Sequence, residues 1–216
     1  MNSLFLIVAW FMVVAGGVNF MQRRYTYTYN SHWWLYVPVL VAAGSLVVLM
    51  LPELMPYIAD KTGVFLLLSM LTVYFLVEFS RSVIWSAKNY YKNTSLPTTY
   101  QGLLQPKISG SITKVADIFF QDVTALAIII LLLSSLSLTM TTLVFVLVVF
   151  TIHIPGLLLF GRVYGGVFLV FSTGFAFFIP YLIQSVSFGW HIMYIVHSLM
   201  YPVMMLLMIL IKKISK

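Results

Sequence analysis

The sequence predicts an all-α protein, a polytopic integral membrane bundle of about seven transmembrane helices. Apolar residues make up 62% of the 216 positions and charged residues only 8%, whereas a soluble globular domain carries about 25% charged residues. Seven apolar runs have the length of a bilayer span. The alternating ten-residue strands of a transmembrane β-barrel are not seen in the sequence.

The seven runs set the expected order of the helices. In lipid their backbone amides must be satisfied within the chain, which favours helices. The first run lacks a positive n-region and a small-residue cleavage site, so we interpret it as a retained span rather than a secretory signal. The runs are approximately 3–20, 33–51, 63–84, 115–134, 138–153, 165–183 and 189–211.

Positive charge predicts the orientation, with the N-terminus outside and the C-terminus inside. In a seven-span chain of this orientation ten basic residues fall on the cytoplasmic side and only Lys61 falls outside, a strong bias under the positive-inside rule. An even number of spans would move the basic tail outside, so the bias favours seven over six or eight. The ten are Arg23, Arg24, Lys88, Lys92, Lys107, Lys114, Arg162, Lys212, Lys213 and Lys216.

The expected organisation is a single membrane domain, 1–216, in a multi-pass protein of the cell membrane. Residues 1–86 hold three spans, 87–114 form a cytoplasmic loop, and 115–216 form an antiparallel four-helix unit that carries the candidate site. Basic residues are scattered between the apolar runs, which argues against a nucleic-acid partner. The chain has no cysteine, so no structural disulfide is expected. The lipid bilayer is therefore the expected partner.

Ionisable side chains within the spans are the candidates for function, because charge at membrane depth is costly and usually faces the bundle interior. Glu78 and Arg81 lie three apart and are expected to form a snorkelling pair near the inner interface. Asp122 lies about 10 Å inside span four, so its carboxyl needs a partner, either as a helix-packing residue or as a site residue. Asp117 is about 140° away round the helix and is not expected to share that site.

Two histidines lie on later spans. His153 ends span five just before Pro155 and, taken alone, would be an interfacial residue exposed to water. His197 lies within span seven, on one helix face with Tyr201, just before the kink expected at Pro202. An intramembrane histidine followed by a kink is a stronger candidate for function than for packing alone.

These residues form one candidate constellation on spans four, five and seven. A carboxylate or carboxamide, Asp122 or Gln121, together with His153 and His197, could bind a divalent metal or perform acid–base chemistry on a water. His191 is about 120° from His197 on the helix and is not expected to join them. The sequence assigns no cofactor, and it leaves metal dependence open.

The order of these residues resembles the CPBP family of intramembrane peptidases, which includes type II CAAX prenyl endopeptidases and bacteriocin-processing or immunity proteins. That family carries a Glu-Glu-x-x-x-Arg motif, a Phe-x-x-x-His motif about one span later, and a His-x-x-x-Asn-like motif on a late helix. Here Phe-Phe-Gln-Asp-Val (119–123), Val-Phe-Thr-Ile-His (149–153) and Ile-Val-His-Ser-Leu-Met-Tyr (195–201) stand at these positions, within a resemblance covering 117–205.

The resemblance implies a peptidase that cleaves a peptide bond near the cytoplasmic membrane surface. Its water-activating glutamate would correspond to Gln121 or Asp122, with His153 and His197 positioning the water or stabilising the oxyanion, and with Tyr201 near them. Because glutamine cannot act as a base, we expect a divergent member, active or catalytically degenerate. The departures are Gln121-Asp122 for the glutamate pair, Leu126 for the arginine, Val149 for the phenylalanine and Tyr201 for the asparagine.

Other functions stay open. A non-enzymatic immunity, assembly or partner-binding factor is favoured by the altered first motif. A small transporter subunit is favoured by Pro180, Pro202 and the glycines around span six, which permit close packing and hinging, although no inverted repeat is apparent. A metal-dependent lipid hydrolase of the ceramidase kind would need a third metal-binding histidine.

Overall fold

The computed structural model is a helical bundle, as the apolar runs predict. It describes residues 2–25, 27, 29, 31–87 and 108–214, and this part of the chain contains no strand. Within it, five helices are long and apolar enough to cross a bilayer, which confirms the prediction of a helical membrane protein. These five are Ser3–Gln22, Trp33–Met50, Lys61–Arg81, Ile108–Leu133 and Gly165–Ser185, and Leu138–Ile154 is a shorter apolar helix.

The helix bounds lie close to the predicted runs, with two exceptions. One is the start of the fourth span, because residues 108–114 are helical rather than part of the loop; the rest of that predicted loop, 88–107, lies outside the described residues. The other is the joining of spans five and six in one helix. The helices are α1 Asn2–Tyr25, α2 Trp33–Met50, α3 Met55–Ile58 (after a 3₁₀ turn at Pro52–Leu54), α4 Lys61–Ala87, α5 Ile108–Leu133, α6 Leu138–Ser185 and α7 Gly189–Ile214.

The 48 residues of α6 are helical throughout, including 154–164, where the sequence predicts a short loop. The axis nevertheless cannot be straight. The ring centroids of His153 and Phe168 are 5.2 Å apart, whereas a straight helix would separate these positions by about 22 Å. Since neither side chain can span such a gap, α6 bends sharply between them and its two arms approach each other at the bend.

The centre of the bundle is α5, which packs against α1, α2, α6 and α7, while α4 packs on α7. The N-terminal helices and the C-terminal helices therefore form one interleaved bundle. α2 approaches α5 closely at Gly44, where a Cβ would lie 2.7 Å from the Phe119 ring and 3.4 Å from Cα of Phe120. The missing side chain of glycine is what permits this approach.

Two hydrogen bonds show which connection lies beside the start of α5 and which lies beside the start of α7. Near the start of α5, the Thr113 hydroxyl donates to the carbonyl of Tyr29, between α1 and α2, at 3.3 Å. At the start of α7, Nε2 of His191 lies 3.0 Å from the carbonyl of Ile58, between α2 and α4. Because α2 runs from the first connection to the second, α5 and α7 begin at opposite ends of the bundle.

α5 and α7 cross inside the bundle, where side chains of the two helices meet. Tyr194 meets Val115, and His197 meets Asp122. This crossing brings polar groups of α5 and α7 together inside the bundle.

Candidate functional site

The candidate site is built on a hydrogen bond between Asp122 of α5 and His197 of α7. Oδ1 of Asp122 lies 2.7 Å from Nδ1 of His197. The Asp122 side chain is 4% exposed and the His197 side chain 21%. A buried carboxylate thus holds a partly exposed ring. Two of the residues selected from the sequence are therefore in direct contact.

Packing beside the pair explains how the two helices meet there. Val115 and Asp122 are seven residues apart, two turns along one face of α5. The Tyr194 hydroxyl donates to the Val115 carbonyl at 3.2 Å, and its ring stacks on Trp190 with centroids 5.5 Å apart. Phe119 packs edge-on against both rings. This aromatic cluster fixes the crossing of α5 and α7 next to the carboxylate.

The arrangement suits His197 to acid–base chemistry. A carboxylate that accepts from Nδ1 favours the tautomer with the proton on that nitrogen, leaving Nε2 to accept a proton from a water. This tautomer is assigned from the hydrogen bond. In this geometry Asp122 can orient the ring and His197 can serve as a base, a different role for the carboxylate from the one that the resemblance implies.

His153 is not hydrogen-bonded to the pair. Its Nδ1 lies 2.8 Å from the carbonyl of Val149, one turn earlier on α6, and its ring packs against Phe168. The ring is close enough to His197 for an electrostatic interaction. Among the described residues, no group of three or more His, Asp or Glu side chains has the arrangement of a metal site. The two histidines share a region of the bundle without a shared ligand geometry.

Of the other residues weighed from the sequence, Gln121 and Asp117 point away from the pair. Gln121 is half-buried and points about 100° away from Asp122 round α5. The Tyr201 side chain lies outside the described part of the structure. Asp117 forms its own ion pair, with its Oδ2 2.7 Å from Nζ of Lys114, as its angular separation from Asp122 predicts.

The expectation of a snorkelling pair on α4 is wrong for Arg81. Arg81 is only 1% exposed, and Oε2 of Glu78 accepts from its Nη2 at 2.7 Å and its Nε at 3.1 Å. One turn before Glu78, the Tyr74 hydroxyl donates to the carbonyl of Ser111 at 3.4 Å. The i,i+3 spacing is a sufficient signal for the pair. The burial of Arg81 depends on packing between helices, which cannot be predicted from a local sequence pattern.

His191 lies apart from the pair, as its position on the helix predicts. It is fully buried, and its ring occupies the place that a Cβ on Gly63 would take. Beside it, Asp60 accepts the backbone N–H of Gly63 at 3.0 Å. This hydrogen bond is the main cause that lowers the pKa of Asp60 below its ordinary value. The cluster joins the α2–α4 connection to the start of α7.

Comparisons with known proteins give no match: no family model, no curated protein and no solved structure is similar to the chain. The case for a site therefore rests on the geometry of Asp122 and His197.

Proposed function

We propose that the protein is an intramembrane peptidase in which Asp122 orients His197 and His197 activates the attacking water. The observation that carries this proposal is the 2.7 Å hydrogen bond between a buried carboxylate and a partly exposed imidazole. Ionisable groups at membrane depth are costly and mark functional sites by default. The resemblance of residues 117–205 to the CPBP family supports a peptide bond as the bond that is cleaved.

In the proposed reaction the same proton is transferred in two steps. Nε2 of His197 takes a proton from water as the water oxygen attacks the peptide carbonyl carbon. The carboxylate of Asp122 stabilises the imidazolium through the Nδ1 hydrogen. The same proton then passes from Nε2 to the amide nitrogen as the C–N bond breaks, which releases a carboxylic acid and an amine.

His153 could stabilise the oxyanion in only one of its protonation states. To bond the Val149 carbonyl, Nδ1 of His153 must carry the hydrogen, so Nε2 of the neutral ring is an acceptor. His153 can therefore donate to an oxyanion only as an imidazolium. This condition makes His197, rather than His153, the residue on which the proposal depends.

The proposed membrane placement is seven spans in the cell membrane, with the N-terminus outside. The ten-to-one charge bias supports this orientation. The bend of α6 at His153 and Phe168 supports a reversal between spans five and six. With this placement Asp122 lies in the cytoplasmic half of the membrane, and the substrate is a peptide or protein segment cleaved near the cytoplasmic surface.

The proposal is tested by comparing the new peptide ends formed in membranes of cells that produce the wild-type chain or the His197→Gln variant. We expect the wild type to produce new peptide termini by cleavage. Their rate of formation should fall about 10²- to 10⁴-fold in the variant, the usual contribution of a general base. Asp117→Asn is the matched control, because Asp117 is on the same helix with its own partner. A wild-type pattern identical to that of His197→Gln, at equal protein levels, would rule out the peptidase.

A second candidate function is a non-enzymatic partner-binding or assembly factor. It is favoured by the absence of a hydrogen bond from His153 to the pair within the described residues. In this alternative the Asp122–His197 bond serves to lock α5 to α7. It predicts that a partner co-purifies with the protein, and that His197→Gln lowers stability without removing any peptide end.

A further inference from the structure

Buried polar atoms without a hydrogen-bond partner recur along the face of α5 that meets α4 and α7. Within the described part of the chain, four such atoms belong to residues on this face or on the faces of α4 and α7 that carry Tyr74 and Tyr194. The two serine hydroxyls among them lie near these tyrosine hydroxyls but not in hydrogen-bond geometry. Buried polar groups in native proteins are almost always hydrogen-bonded to protein or to ordered water. The four are Oε1 of Glu78, Oγ of Ser111, Oδ2 of Asp122 and Oγ of Ser198.

The helical spacing places these groups in one row. On α5, Ser111, Val115 and Asp122 lie within about 40° of a common line, over a rise of about 16 Å. On α4, Tyr74 and Glu78 are four residues apart and so share a face. On α7, Tyr194 and Ser198 share a face in the same way.

Two tyrosine hydroxyls connect the three helices along this row. The Tyr74 hydroxyl bonds the carbonyl of Ser111 at 3.4 Å, and the Tyr194 hydroxyl bonds the carbonyl of Val115 at 3.2 Å. These carbonyls lie on consecutive turns of α5. Tyr74 interacts electrostatically with Glu78, and Tyr194 interacts in the same way with Asp122. The row therefore continues from the Glu78–Arg81 ion pair to the candidate site.

We propose that a line of buried water molecules occupies this row, from Oε1 of Glu78, past the two tyrosine hydroxyls, to Oδ2 of Asp122. A buried water is stable where it finds two to four polar partners, and carboxylate oxygens, hydroxyls and backbone carbonyls supply them here. Each water can give one proton to its neighbour while it receives one from the other side. The line is thus chemically able to carry protons between Glu78 and Asp122 without net consumption of either carboxylate.

Radiolytic hydroxyl-radical labelling of the full-length protein in detergent micelles tests the proposal, because radicals formed from bound water modify adjacent buried side chains. We expect Tyr74 and Tyr194 to be modified severalfold faster than Tyr36. The matched reference is Tyr36, which is as buried as Tyr74, at 3% exposure, but is bonded to the carbonyl of Tyr27, away from the row. Equal rates at the three tyrosines would overturn the proposal.

A pair of variants locates the water more closely. Ser198→Val removes the buried hydroxyl and fills its space with two methyl groups, and we expect labelling of Tyr194 to fall severalfold. Ser172→Val removes an equally buried unpartnered hydroxyl from α6, outside the row, and should leave Tyr194 unchanged. An equal effect of the two variants would overturn the proposal, and an unchanged rate at Tyr36 shows that the fold is kept. The measurement does not depend on peptidase activity.

Discussion

The ring of His197 donates its Nδ1 hydrogen to Oδ1 of Asp122 at 2.7 Å, which ties α7 to α5 inside the bundle. Because one partner is almost fully buried, loss of either side chain leaves the other without its hydrogen bond. We expect Asp122→Ala and His197→Ala, neither of which leaves a group able to bond the partner, each to lower the free energy of unfolding. The double variant should lose less than the sum, with a coupling of about 0.6–1.7 kcal/mol, as for other side-chain hydrogen bonds between membrane helices.

This coupling is measured by reversible unfolding in mixed detergent micelles. The control is the combination of Asp117→Ala with His197→Ala, whose effects should be additive because Asp117 bonds Lys114 instead. Additivity of the Asp122 and His197 variants within about 0.3 kcal/mol would show that the bond contributes nothing to stability.

Sequence periodicity predicts the helices more reliably than their contacts. Hydropathy locates the start of α2 at Trp33 because span length follows from bilayer thickness. The crossing that joins Asp122 to His197 depends on how bulky rings pack, as Phe119 does between Trp190 and Tyr194. A one-dimensional pattern contains no information on this packing.

The same limit explains the incorrect expectation for Arg81. Its pairing with Glu78 is local and follows from helical spacing. Its enclosure depends on neighbours distant in sequence, so a residue expected to reach toward water is instead buried. The helical backbone of 154–164 is a related case, since Pro155 and the following glycine suggest a loop, whereas three consecutive leucines favour a helix.

Gly63 is expected to tolerate no side chain, because the ring of His191 occupies the position that a Cβ would take. We expect Gly63→Ala to lower the free energy of unfolding by about 1–3 kcal/mol, the usual cost of overpacking, in the same micellar assay. Gly174→Ala is the matched control, since no atom lies within 4 Å of the added carbon. In a His191→Ala background the cost of Gly63→Ala should largely disappear; an undiminished cost would show that the ring is not its cause.

Asp60 is expected to make stability depend on pH at the acidic end. Its pKa is lowered from 3.8, chiefly by the hydrogen bond from the Gly63 N–H. A carboxylate with a lowered folded-state pKa stabilises the fold above its unfolded value, and this contribution is lost as the pH falls through the folded-state value. The melting temperature of the wild type should therefore fall toward that of Asp60→Asn as the pH drops below about 4.

The control for this pH dependence is Asp60→Ala. This variant removes the charge and also the hydrogen bond by which Asp60 caps the start of α4, so it should be less stable than the wild type at every pH tested. Asparagine can still accept the N–H of Gly63, so only the charge-dependent part of the stability is absent in Asp60→Asn. A constant difference in melting temperature between wild type and Asp60→Asn from pH 7 to pH 3 would contradict a lowered pKa of Asp60 in the folded protein.

The bend of α6 predicts that its two ends lie on the same side of the membrane. The chain contains no cysteine, so single cysteines introduced at Ser135, before α6, and Ser187, after it, report their location without background. We expect both to react with a membrane-impermeant maleimide in intact cells. Ser31→Cys, between α1 and α2, should react only after the membrane is permeabilised, because α2 carries the chain to the opposite end of the bundle.

A straight α6 would give a different pattern. With a single crossing, positions 135 and 187 would lie on opposite sides, and one of them would be protected together with Ser31→Cys. Thr62→Cys is the reference for the exposed side, since the contact between His191 and Ile58 places the start of α4 beside the start of α7. Labelling of 62, 135 and 187 together, with 31 protected, requires the chain to reverse between His153 and Phe168, and it also fixes the orientation that the charge bias predicts.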